Sequence, residues 1–132
     1  LAVASIFDDV SAAESSAGDV EVRCIYVHNA HATLTLQNAV AWFPANTPST
    51  STVVELGVGT SAVNGTEQTV TDENTAPSGV TFVAGATKAA GVALGDIPPG
   101  QSRALWTRRT VTAGAAAFAD SFTLRVEGET AA

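Results

Sequence analysis

Cysteine occurs once, at Cys24, methionine not at all, and lysine only at Lys88. A lone cysteine leaves no internal disulfide, so stability has to come from packing. Six basic residues stand against 13 acidic ones, for a formal net charge of −7. That balance argues against a nucleic-acid partner, whose phosphates need dense Lys and Arg. No apolar run approaches the roughly 20 residues that span a bilayer, and residues 1–19, with four acids and no base, do not resemble a secretory signal. The expectation is no nucleic acid and no membrane.

What the chain has instead is small and β-branched. It holds 25 alanines, 17 threonines and 16 valines against seven leucines and three isoleucines in 132 residues. Valine and threonine are stiff at χ1 and favour a pleated, half-buried surface. Alanine permits helix, but here it clusters in short stretches broken by Gly or Pro. The length suits one domain with one core.

Residues 1–19 read as an N-terminal arm, loosely ordered or docking on a neighbouring chain through Ile6 and Phe7. A short helix over 11–17 is expected there, with Ser11 and Glu14 three apart as in a capping box. Residues 20–132 read as one sandwich domain. In 20–28, Val20, Val22, Cys24 and Tyr26 share one face and Glu21 and Arg23 the other. In 33–43, Leu34, Leu36, Val40 and Trp42 point one way, with Asn38 the one break in the apolar face.

Further strands are expected at 52–58, around 80–83, at 101–111 and at 121–127, with Phe122, Leu124 and Val126 inside. Residues 59–79 read as a long excursion with at most a short strand near 67–71, and IPPGQ at 97–101 as a turn. Seven or eight short strands, punctuated by turns, imply an all-β, two-sheet antiparallel sandwich of jelly-roll type, with an immunoglobulin-like order as the alternative. The expected core is Val22, Cys24, Leu34, Leu36, Val40, Trp42, Val54, Leu56, Phe82, Phe122, Leu124 and Val126.

Candidate chemistry is sparse. Cys24 and His28 are four residues apart in one strand, about 13 Å at roughly 3.3 Å per residue, too far to share a zinc ion. His28 and His31 flank a turn, and two ligands alone make a weak site. Asp8/Asp9 and Asp72/Glu73 lack the spaced loop and terminal bidentate Glu of a calcium motif. No nucleophile elbow, phosphate loop or metalloprotease helix occurs. Asn64-Gly65-Thr66 matches a glycosylation acceptor but reads better as a tight turn. The expectation is therefore no enzyme, no cofactor and no metal.

The one basic concentration is RALWTRRTV, where Arg103, Trp106 and Arg108 form a candidate partner-binding patch, since Arg and Trp are enriched at interface hot spots. Arg108 and Arg109 are adjacent in a strand and face opposite sides, so at most one shares a face with Trp106.

An acidic arm before Gly-Asp, the run VEVRCIYVHNAHATLTLQNAVAWF, the loop ENTAPSGVTF and the segment LGDIPPGQSRALWTRRTVTAGAAAFADSFTLRVEG together resemble small structural proteins of tailed bacteriophages. Within that setting the chain is most similar to capsid cement or decoration proteins. The resemblance lies in texture over most of the chain. It implies a virion protein on the outer capsid surface, made in the host cytoplasm. Its implied partner is the major capsid protein, bound as a homo-oligomer (dimer or trimer). Alternatives are a tail, fibre or connector protein, or a carbohydrate-binding sandwich with Trp42, Trp106 and Tyr26 as an exposed platform.

Overall fold

A computed structural model describes residues 6–114 and 120–131. The protein is a sandwich of two antiparallel three-stranded sheets, as the residue pattern implied. After helix α1 (Ala12–Ala17) come β1 (Asp19–His28), β2 (Leu36–Ala45), β3 (Thr52–Val58), β4 (Val92–Ile97), β5 (Ser102–Val111) and β6 (Thr123–Glu129). One sheet has the order β1-β5-β3 and the other β4-β2-β6, so every successive strand changes sheet and no consecutive pair forms a hairpin. Among the described residues there are six strands, where a complete jelly roll has eight.

Helix α1 forms where its capping box lies: Ser11 Oγ accepts from Glu14 N (3.2 Å), and Glu14 Oε2 accepts from Ser11 N (2.6 Å). The arm does not hang free over its described residues. Phe7 is 5% exposed and part of the core, its ring edge-on to Phe122 at 6.4 Å, and Ile6 packs against the same cluster. A phenylalanine that can reach an apolar interior next to its own chain has no reason to remain in water.

The core lies between the sheets and is built from Phe7, Ala39, Ala41, Phe43, Val54, Leu56, Leu94, Ile97 and Leu105, with Leu36, Phe122, Leu124 and Val126 packed on it. Val54, Leu56 and β6 stand as expected. Strand β2 does not. Asn38 takes φ 51° and Gly95 on the partner strand φ 75°, and the register shifts between Leu36 and Ala39. The extra residue of this bulge turns the face over. Ala39, Ala41 and Phe43 face inward, Val40 and Trp42 outward, and Leu34 lies ahead of the strand, 37% exposed.

In β1 the face is likewise the opposite of the expected one. Its pairing aligns Glu21–Arg109–Val54, Arg23–Thr107–Leu56 and Ile25–Leu105–Val58 in rows toward the core. Val22 and Cys24 lie on the other side. Strand β4 arises where no strand was expected, while 67–71 forms no strand and Val83 makes only an isolated bridge to Leu56. The segment AGAAAFAD at 113–120 reads as a connection between the last two strands, and its residues 115–119 lie outside the described residues.

Residues 59–91 join β3 to β4 and fold back over the molecule. Glu67 N donates to Tyr26 Oη (2.9 Å), Glu73 O accepts from Val22 N on the free edge of β1 (2.7 Å), and Val83 exchanges two bonds with Leu56 on the free edge of β3. Gly85 O then accepts from Phe43 N (2.7 Å), linking the excursion to the second sheet. At Gly57 a Cβ would stand 2.6 Å from Val80 and 2.7 Å from Thr81 O, so only glycine lets the excursion lie this close. Both edges of the β1-β5-β3 sheet are thus occupied, which protects them from pairing with another chain.

Candidate functional site

The outer face of the β1-β5-β3 sheet is the surface on which Trp106 and Arg108 sit. Pairing lines it with the rows Val20–Thr110–Val53, Val22–Arg108–Glu55 and Cys24–Trp106–Gly57. The excursion covers the third row and the Val22 end of the second, leaving Trp106 and Val22 each 3% exposed. The first row stays open, with Val20 41% and Val53 45% exposed.

Between the open and the covered row lies a polar hinge. Arg108 Nε and Nη2 both donate to Glu55 Oε2 (2.9 and 2.6 Å), and its guanidinium lies 4.4 Å above the Phe82 ring. A planar guanidinium held by a carboxylate and stacked on a ring keeps one orientation.

Of the five residues expected to bind a partner, the structure brings together only Trp106 and Arg108. Trp106 is an anchor of the chain's own interior, so it is withdrawn as an exposed contact. Arg103 pairs with Val27 and lies on the opposite face by alternation, its Nη2 reaching Gly59 O at 3.4 Å. Phe7 belongs to the core, and Ile6 packs against it. Sequence reading missed Val20 and Val53, whose exposure depends on where a loop ends, and Arg109, which is buried against Glu21 and donates to Asp8 O (2.7 Å).

Arg23, beside it, has carboxylates of Glu73 at 2.6 Å and Asp8 at 3.5 Å. Both guanidiniums lie over the Phe7 ring, at 5.8 and 5.0 Å.

Two buried glutamates behave oppositely. Burial pushes the Glu21 carboxyl above its usual range, more than Arg109 lowers it. Burial also pushes Glu67 up, but hydrogen bonds from Ser61 (N, 2.8 Å) and Thr60 (Oγ1, 2.9 Å) outweigh it and hold the group at about 2. Glu67 is a loop clamp, tying 60–61 to 67 above Tyr26.

The cysteine and histidines do not meet. Cys24 faces outward opposite Trp106, its thiol pushed up chiefly by burial and also by Glu67. His28 Nδ1 bonds Ser102 Oγ (2.9 Å), and His31 Nδ1 accepts from Thr33 N and Leu34 N, holding the turn. Asn64, at φ 60°, lies in the expected turn, closed by Gly65 N to Ala62 O (2.9 Å). Trp42, 7% exposed under Arg125, belongs to the other sheet from Trp106, so the two tryptophans and Tyr26 form no common platform.

The arrangement offers an apolar row beside a fixed ion pair on an otherwise acidic surface. In comparisons with known proteins, no family model, curated protein or solved structure matches the chain.

Proposed function

We propose that this protein is a non-enzymatic virion component that binds the outer face of a phage capsid and stabilises the shell by bridging major capsid subunits. Support comes from the resemblance of the chain to small phage structural proteins and from its open sheet corner. The observation that carries the reading is the row Val20–Thr110–Val53, apolar and open, next to the Arg108–Glu55 pair on Phe82. Apolar contacts flanked by an oriented arginine suit a protein surface. So small a corner supplies limited area, and association of two or three copies around a capsid symmetry axis multiplies it. Binding to the assembled lattice alone stabilises that lattice by mass action.

Particles with and without the protein, heated in parallel, test the proposal. The coated shell ruptures at the higher temperature, and the Val20→Glu/Val53→Glu variant, whose thermal midpoint stays near wild type, loses occupancy. Equal rupture temperatures sink the cementing role. Finding the chain in tails or connectors assigns it elsewhere in the virion.

A further inference from the structure

Helix α1 and strand β1 bring three carboxylates together that are spread over eight residues of sequence. Glu14, Asp19 and Glu21 each offer an oxygen, and these oxygens lie within 4.8 Å of one another. Calcium binds oxygen at 2.3–2.6 Å, so ligands on opposite sides of one ion stand roughly 4.6–5.2 Å apart. The cluster has that span.

Acidic side chains often gather without an ion, and the distinguishing feature here is Glu21. It is 0% exposed, and its Oε1 has no hydrogen-bond partner. Arg109 takes the other oxygen, Oε2, while the nearest cation to Oε1 is Arg23 Nη2 at 3.8 Å, beyond hydrogen-bond reach. Arg23 is committed instead to Glu73 at 2.6 Å. A buried carboxylate oxygen left without a donor is costly and calls for a partner.

The other two ligands are each steered by one oxygen and have a second to give. Glu14 Oε2 closes the capping box, and Asp19 Oδ1 accepts from Asn74 Nδ2 (2.8 Å). Such outer bonds orient ligands for a metal. Asp8, Glu14, Asp19, Glu21 and Glu73 stand against Arg23 and Arg109, so negative charge prevails around the cluster. A solvent-open cleft of about 460 Å³, lined by Gly18, Asp19, Val20, Asn74, Val111 and Ala113, gives water and ions access to Asp19.

We infer that Glu14, Asp19 and Glu21 form a site for a hard divalent cation of calcium size, which fastens α1 to the start of β1. Waters complete the coordination, as three carboxylates supply fewer than the six to eight oxygens calcium takes. The inference does not depend on the capsid reading.

Calorimetric titration of the EDTA-treated full chain with CaCl2, and thermal midpoints with and without it, test the site. The expected result is saturable binding at about 0.1–1 mM, with a midpoint raised by several degrees at about 10 mM and less by MgCl2. In the Glu14→Gln/Asp19→Asn variant, binding weakens tenfold or more. Gln keeps the capping box and Asn keeps an oxygen for Asn74, so its midpoint in EDTA matches wild type. Should the pair fail to fold, Glu14→Gln alone makes the comparison. No calcium response of the wild type up to about 10 mM overturns the site, and so does an equal response in the variants.

Discussion

The two sheets have the same strand count and opposite characters. The β1-β5-β3 sheet is covered on one face by the other sheet and on most of the second by the 59–91 excursion, and it encloses polar groups: Glu21, Thr107 and Arg109 are all buried. The β4-β2-β6 sheet is open on its outer side along β6, which alternates strictly between half-buried and exposed positions, although Trp42 on the same outer side is only 7% exposed. A one-sided sheet writes its orientation into the sequence as period-2 alternation. A two-sided one erases it, because β5 runs through four consecutive buried residues, Ala104 to Thr107. The sheets also hold together differently, one through apolar contact and the other partly through an interior ion pair.

The largest effect should come from the apolar side. Phe43 is 1% exposed and stands edge-on to Phe122 at 5.5 Å, so Phe43→Ala should cost about 4–5 kcal/mol. Val40→Ala, on the outward face beyond the bulge, should cost about 1 kcal/mol or less. Chemical denaturation of both checks the reversed register, and a larger cost at Val40 would restore the plain alternation.

On the polar side, Arg109→Ala leaves Glu21 buried without its partner and should cost about 3–4 kcal/mol. Replacing both, as Glu21→Leu/Arg109→Met, should recover most of that. The two denaturation midpoints distinguish a pair retained for its geometry from one essential to stability. If the double variant is as unstable as the single, the guanidinium contacts to Phe7 and Asp8 O matter more than the pair.

A further effect, visible only against pH, belongs to the loop clamp. Glu67 is held at about 2, below the 4.5 usual for a glutamate. A depressed folded value means a contribution fully present above pH 4.5 and lost as pH falls toward 2. It amounts to at most about 3–4 kcal/mol. Thermal midpoints between pH 5 and pH 2 should fall less steeply in Glu67→Gln than in wild type. Parallel curves would show that the clamp carries no linkage.

Much of the fold was legible along the chain. The capping box at Ser11 and Glu14, the span of β3, the alternation of β6 and the Asn64-Gly65 turn each rest on neighbours within a few residues. The candidate surface was legible only in part. Of Arg103, Trp106 and Arg108, read together as one patch, Trp106 and Arg108 share a face and Arg103 lies on the other, as strand parity alone dictates, and nothing in RALWTRRTV says which rows a loop will cover. Val20 and Val53 look like any strand valines. They become a surface because the excursion stops short of them.

What the sequence determined by itself was the class: β-branched residues in short alternating runs, a single core's length, no disulfide, and an acidic surface. Those follow from composition and from periodicities of two to four residues. Only the tertiary structure decided which face of β1 and β2 turned inward, since β1 carries apolar residues on both faces and buries Glu21 only because Arg109 of β5 pairs with it, while a single residue, Asn38 at φ 51°, inverts β2. It also decided that Phe7 enters the core and that Glu14, Asp19 and Glu21 converge, because contacts between separate elements depend on how the sheets stack, which no local pattern encodes.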